Sequence, residues 1–392
     1  MRLYLWIIVL LACNSPMFAQ SSIDEVLKCI EANNKALQSG QRLNESRKLE
    51  ARTGNYLTNP TVEVNQLWGE KGVGGNINEL AIVQAFDFPT VYANKNKRAK
   101  LKADASDCQY AVTRQEILLA AQQVCQELIY LRKRQQLLDN RLKNASQLEE
   151  FHNRRLISGE TNQLEYNKIQ LEKINATNAI RQNTSAIRAC QEQLQALNGG
   201  IPLEFTATEY TDMPGLPEFS QLESDYLAND PTLKSLLGES EIAQREIKVN
   251  RALSLPKFDV GYRRNGGSDG KMNGFRISMS IPLWENKNTV KQAKAQAEYA
   301  ALNSASNTQT QKATLRELYL QAEALQTSKD EYAQTLHSQR NEELLNKALE
   351  AGQISMIDYF MEISLLYDSI QNLLDIEKEY YNLVAQLLQY RL

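Results

Sequence analysis

Asn59-Pro60-Thr61-Val62-Glu63-Val64, followed by Leu80-Ala81-Ile82-Val83-Gln84-Ala85-Phe86-Asp87-Phe88-Pro89, decides the reading of this chain, because both stretches are written a second time. Leu255-Pro256-Lys257-Phe258-Asp259-Val260 and Phe275-Arg276-Ile277-Ser278-Met279-Ser280-Ile281-Pro282 stand 193–196 positions later. A third pair keeps the same offset: Gly159-Glu160-Thr161-Asn162-Gln163-Leu164-Glu165-Tyr166 against Gly352-Gln353-Ile354-Ser355-Met356-Ile357-Asp358-Tyr359. Three landmarks in one order at nearly one offset mark a tandem duplication.

Each half carries two segments of strict alternation. Val62 and Val64 stand against Glu63 and Asn65, and Leu80, Ile82, Phe86 and Phe88 against Ala81, Val83, Ala85 and Asp87. In the second half, Phe258, Val260 and Tyr262 oppose Asp259, Gly261 and Arg263, and Phe275, Ile277, Met279 and Ile281 oppose Arg276, Ser278 and Ser280. Period two predicts strands with one apolar face, joined by the Gly-rich loops Gly69–Ile77 and Asn265–Asn273. Alternation alone also fits a soluble hairpin on a core. The segments, however, match the roughly 9–11 residues of a membrane-spanning strand. On that reading Val62, Val64, Leu80, Ile82, Phe86, Phe258, Val260, Phe275, Ile277, Met279 and Ile281 face lipid. Four strands cannot close a barrel, so the chain would have to oligomerise.

The remainder reads as helix. Residues 90–157 contain neither Pro nor Gly, and Ile117, Ala121, Val124, Leu128, Leu131, Leu138, Leu142 and Ala145 follow three- and four-residue spacing. The counterpart spans roughly 285–350, with Leu318, Ala322, Leu325, Tyr332 and Leu336. Such a helix is about 100 Å long, more than a compact domain holds. Two shorter helical stretches flank each, 22–55 with 161–198 and 219–254 with 354–391. Laid end to end, each pair matches one long helix in length.

Composition narrows the function. The chain has 392 residues with a formal net charge of -3, so no basic surface suits nucleic acid. After the N-terminus no uncharged apolar run reaches the 18 or so residues of a spanning helix. Only two histidines occur, His152 and His337, both on long polar helices and expected to face solvent. No GxSxG, HExxH, P-loop or paired-cysteine metal motif stands in the chain, so neither an enzyme, a cofactor nor a bound metal is expected. Residues 1–19, with Arg2 before a short apolar core, read as an export signal. Cleavage after Ala19 and lipidation at Cys13 are both open. Of the remaining cysteines, Cys108 and Cys125 cannot pair on one helix, being about 25 Å apart at 1.5 Å per residue.

The repeated order of strand, strand, long helix, turn and helix resembles the TolC family of outer-membrane efflux proteins. Pro60, Pro89, Pro256 and Pro282 bracketing the strands, and the two Gly turns followed by an acidic residue and Tyr, add to the resemblance. The family fold is mainly α with a small membrane β part. The resemblance implies a first repeat at 20–200, a connector at 201–218 and a second repeat at 219–392. It implies a homotrimer in which a 12-stranded barrel in outer-membrane lipid continues into a 12-helix periplasmic tube. Function follows as an exit duct completing a tripartite efflux system with a periplasmic adaptor and an inner-membrane transporter of the resistance–nodulation–division type. Length and connector look most similar to members serving heavy-metal transporters; drug efflux and type I protein secretion stay open, as do an adaptor or structural coiled coil from other classes. By position, the family's adaptor-docking turns fall on Ser158, Gly159, Glu160 and Thr161, and on Ala351, Gly352, Gln353, Ile354 and Ser355. Asp358 matches an aperture carboxylate. The second acidic position is Met361 here, with Glu362 adjacent. Glu165, Tyr166 and Tyr359 are expected to pair across protomers at the closed tip.

Overall fold

The computed structural model describes residues 22–69, 75–159, 161–210, 214–267, 270–337 and 341–392. The export signal with Cys13, and Glu160 of the first turn, lie outside the described residues. Helices α1 (Ile23–Asn33) and α2 (Lys35–Arg52) lead into strands β1 (Thr61–Leu67) and β2 (Ile77–Phe86), then α3 (Pro89–Ile157) and α4 (Gln163–Leu197). The second half repeats the order: α5 (Phe219–Asn229), α6 (Pro231–Leu253), β3 (Lys257–Gly267), β4 (Gly270–Ser280), α7 (Thr289–His337), α8 (Asn341–Glu350) and α9 (Met356–Leu387).

Helix α3 runs for 69 residues, or about 100 Å. Pro89 sits at its first turn, where the missing N–H costs nothing. It stops at Gly159, whose φ of 76° is the left-handed conformation that closes helices. The stretches 22–55 and 219–254, expected as single helices, are instead each broken once. Asn34 (φ -61°, ψ 122°) separates α1 from α2, and Asp230 (φ -59°, ψ 123°) separates α5 from α6. The two breaks lie 196 residues apart, at the offset of the duplication. At each, a buried polar side chain leaves the helical conformation and accepts the N–H three residues on, Leu37 N at 2.9 Å and Leu233 N at 3.0 Å. The side chain caps the following helix, and this local hydrogen bond outcompetes continuation.

Packing makes a layer four helices wide. One flank of α3 carries α1 and α2, tied by Arg114–Glu31 (2.6 Å) and Lys48–Asp107 (2.5 Å), and beyond them α4, tied by Asn183 Nδ2 to Leu131 O (2.8 Å) and Lys173–Glu149 (2.5 Å). The other flank meets α6, where Arg98 grips both oxygens of Glu246 (2.9 and 3.0 Å), and then α9, where Lys133 pairs with Glu377 (2.8 Å). Helix α7 lies outside α6 and α9. End-to-end short helices thus line α3, as the length arithmetic predicts, whereas the second long helix, expected over roughly 285–350, is described as α7 of 49 residues and α8 of 10.

The largest apolar cluster gathers Val26, Ile30, Leu118, Leu128, Cys125 and Leu194 with Phe205 and Tyr210 of the segment after α4. Arg132 donates to the carbonyls of Phe205 and Ala207, while Tyr210 stacks on Tyr381 at 4.3 Å, so this segment is strapped across α3 and α9. Among the described residues, Cys108, Cys125 and Cys190 form no disulfide with one another.

Candidate functional site

The four strands form one antiparallel sheet in the order β1-β2-β3-β4. Directly paired residues of antiparallel strands share a face, so the register sorts every side chain. Val62, Ile82, Tyr262 and Phe275 form one row; Val64 and Leu80 lie outward of it, and Val260 with Ile277, then Phe86, Phe258 and Met279, lie toward the helices. Every strand residue expected to face lipid therefore lies on a single face. Ile281 is the exception, because β4 ends at Ser280 and Ile281 follows it, exposed beside Leu283 and Trp284.

From Phe86 to Leu80 this band covers seven residues of β2, about 20 Å of strand at 3.4 Å per step. At its far end it turns polar through Gln66, Asn78, Arg264 and Asn273. Its helix-proximal rim is aromatic, with Phe88 against Phe258 (6.3 Å between rings) and Trp284 exposed. An apolar band ending in an aromatic rim is the outer profile of a membrane barrel. The opposite face carries Glu63, Asn65, Glu79, Asp259, Arg263 and Arg276. Here Arg263 Nη2 donates to Glu79 at 2.7 Å, and Ser278 Oγ to Asp259 at 3.2 Å. Gly261 lies on this face where a Cβ would stand 2.8 Å from Ile82 O, so the strands approach too closely for any side chain. Both β1 and β4 keep an unpaired edge within the chain.

At the other end of α3, some 100 Å away, are the two turns. The first places Gly159 after Ser158, then Thr161, whose Oγ1 donates to Glu165 at 2.6 Å, and Asn162, which caps Glu165 N at 2.9 Å. Glu165 and Tyr166 are half-buried. The second turn closes through Gln353 N to Ala348 O (2.8 Å), with Gly352 at φ 66°. Ala351, Gly352, Gln353 and Ser355 are exposed, and Ile354 packs inward. Asp358 is exposed, and its carboxylate turns back onto Ser355, accepting from N at 3.3 Å and Oγ at 2.6 Å, while Asp358 N donates to Ser355 Oγ. That reciprocal capping box fixes the start of α9.

Two expectations are corrected here. Tyr359 is fully buried inside its own protomer, so it cannot pair across protomers. Its hydroxyl accepts from Asn144 Nδ2 (2.8 Å) and donates to Asn346 Oδ1 (2.7 Å); Asn144 also donates to Tyr367 OH (3.1 Å), whose hydroxyl in turn reaches Glu342 at 3.4 Å. Burial pushes the Tyr359 phenol up to about 12, and the Tyr367 phenol further. This network of α3, α8 and α9 was not singled out in the sequence; its only sign there is an Asn beside the apolar positions of α3. His152, expected in solvent, is also buried, at 2% exposure, and neither ring nitrogen has a hydrogen-bond partner among the described residues. Burial and then Arg155 push its pKa down, against an upward pull from Glu165. The side chain of His337 lies outside the described residues.

A four-stranded sheet with one apolar face and both edges open, set on a helical layer about 100 Å long, defines one protomer of a TolC-like outer-membrane channel fold. Residues 222–390 match the family model described as Outer membrane efflux protein. Among solved structures, CusC shares 15% identity at a TM-score of 0.80, covering 95% of this chain and 93% of its own. The CmeC outer membrane channel of Campylobacter jejuni shares 14% at 0.71, covering 94% and 85%. The outer membrane protein VceC of Vibrio cholerae shares 12% at 0.78, covering 94% and 95%. These likenesses carry the fold across nearly the whole chain. No curated protein matches the sequence.

Proposed function

We propose that three copies of this chain close into an outer-membrane exit duct, through which a tripartite efflux system expels small molecules or metal ions. The observation that carries this reading is the sheet: its apolar band lies on one face, Glu63, Glu79, Asp259, Arg263 and Arg276 lie on the other, and its two edges are unpaired within the chain. A backbone edge left open in hydrocarbon costs several kcal/mol per unmet group, so membrane insertion and closure are one event. Within such a ring the polar face lines the lumen, and the helical layers of three protomers continue it as a tube. The repeats at 20–200 and 219–392, joined by the connector at 201–218, supply two hairpins per protomer.

Both Gly turns then lie at the periplasmic tip, and we assign them to the docking of a periplasmic adaptor that links the duct to an inner-membrane transporter. Asp358 is assigned to the aperture, where three copies would concentrate cations. Glu165 and Tyr166 stand beside the first turn in the same region. A heavy-metal cargo is supported only by the overall likeness to CusC. The deciding experiment is the mass of the protein extracted in detergent from outer-membrane fractions. A species of three protomers is expected; a soluble periplasmic monomer would overturn the duct.

A further inference from the structure

Charge is spread unevenly along this chain. Four segments meet the sheet from the helical side: 46–54 closing α2, 94–102 opening α3, 247–257 between α6 and β3, and 286–297 opening α7. Together they hold fourteen bases and one acid, so a positive collar stands below the sheet although the whole chain carries -3. By helix rise it lies within about 20 Å of the strands. Asp87, Glu246 and Glu285 at its borders engage Lys95 (3.5 Å), Arg98 (2.9 Å) and Lys257 (3.0 Å), and Asp107 engages Lys48 (2.5 Å). The other ten bases have no ion pair among the described residues.

The collar also continues the apolar band of the sheet. Tyr56 and Leu57 follow α2, Leu283 and Trp284 precede α7, and all four are exposed. Lys287 N donates to Trp284 O at 3.1 Å, which puts the indole and the first base of α7 at the two ends of one turn. Lys287, Lys291 and Lys294 are exposed and recur at three- and four-residue spacing, so they share a helix face. On α3, Lys95 turns to Asp87, which continues the polar face of β2. Lys97 and Lys100 stand roughly 200° and 140° round the helix from Lys95, exposed on the outer side.

We propose that this collar binds the headgroups of anionic glycerophospholipids in the leaflet nearest the helices. A bilayer's polar layer extends about 5–8 Å beyond its hydrocarbon, within reach of Lys287 and Lys291, and deeper bases act over a Debye length of about 8–10 Å. Lipid fits better than a soluble anion because apolar and aromatic side chains adjoin the bases, one set for acyl chains and one for phosphates. The inference rests on the duct reading and gives the duct a lipid partner that sets its depth in the membrane.

The test uses the purified trimer in vesicles and reads Trp284, which Trp68→Phe leaves as the one tryptophan after the export signal. Brominated phosphatidylglycerol and brominated phosphatidylcholine serve as quenchers. Phosphatidylglycerol should associate at least about fivefold more strongly, the worth of one base near an anionic surface. That preference should vanish at about 1 M salt, where the Debye length is about 3 Å, and in the quadruple variant Lys97→Gln, Lys100→Gln, Lys287→Gln, Lys291→Gln. Replacing Lys143, Lys168, Arg181 and Arg188, far along α3 and α4, by Gln should leave it unchanged. Excess free glycerol phosphate should not displace the lipid. Equal quenching by both lipids or a preference that outlives the quadruple change overturns the proposal. So does displacement by glycerol phosphate, which would put the anion site in the lumen. The mass of each sample is measured alongside: absence of a trimer before any substitution is failure of the duct, whereas intact trimers without lipid preference sink this proposal alone.

Discussion

Replacing Phe275 by Arg tests which face of the sheet meets lipid. Phe275 is 89% exposed in the protomer and lies in a central row with Val62, Ile82 and Tyr262, its ring 6.1 Å from that of Tyr262 in edge contact. Arg at the middle of a barrel's lipid face costs about 2–4 kcal/mol, and the lost ring pair roughly 0.5–1.5 more, so each chain loses on the order of 3–5 kcal/mol. A trimer carries the change three times. Ser278→Arg is the control. Three residues along the same strand, Ser278 lies on the opposite face against Asp259, where a new exposed ion pair contributes only about 0–1 kcal/mol. The assay is the denaturant midpoint of protein folded into lipid vesicles, together with the yield of trimer in outer-membrane fractions. Phe275→Arg should lower both sharply, and Ser278→Arg should leave both near wild type. Equal effects from the two changes, or tolerance of Phe275→Arg, would refute the face assignment and with it the barrel.

Other substitutions probe the tip and the close strand contact. Tyr359→Phe takes an acceptor from the buried Asn144 and the donor from the half-buried Asn346 Oδ1, and should cost about 1–3 kcal/mol, read as a lower thermal midpoint; an unchanged midpoint would remove the network from the account. His152 is held neutral, with a folded pKa below its unfolded value near 6.5. Its unfolded form therefore takes up the proton first, and stability present at pH 7.5 is lost as pH falls below about 6.5. His152→Gln should flatten that dependence between pH 7.5 and 5, and the same slope in both proteins would contradict it. Asp358→Ala removes the capping carboxylate at about 0.5–2 kcal/mol and should also raise single-channel conductance or reduce block by divalent cations; unchanged conductance in intact trimers takes Asp358 out of the aperture. Gly261→Ala must push its Cβ away from Ile82 O, and a trimer yield equal to wild type would show that the sheet gives way freely.

The duplication, the strands and the helix lengths were legible because each repeats a short-range signal: alternation at Val62 and Phe275, three-and-four spacing from Ile117 to Ala145. The breaks at Asn34 and Asp230 were not, since one polar residue in a polar-faced helix looks no different whether it caps or continues. Tyr359 misled for a related reason. Its place beside an acidic residue and a Gly turn suggested an outward role, whereas burial depends on α8 and Asn144 arriving from 13 and 215 residues away. His152 likewise sits in a stretch rich in charge, and only the docking of neighbouring helices withdraws it from water. What the chain does to itself nearby was readable. What distant segments bring was not.

The unpaired edges of β1 and β4 bear on inheritance as well as on architecture. If rings of this chain form as proposed, a subunit with a blocked β4 edge would not fail alone; it would enter rings and spoil them. In a cell making normal and blocked chains equally, random mixing leaves only about one-eighth of trimers wholly normal. A defective allele would therefore be dominant over a functional one, and the strength of that dominance reports the number of chains per ring.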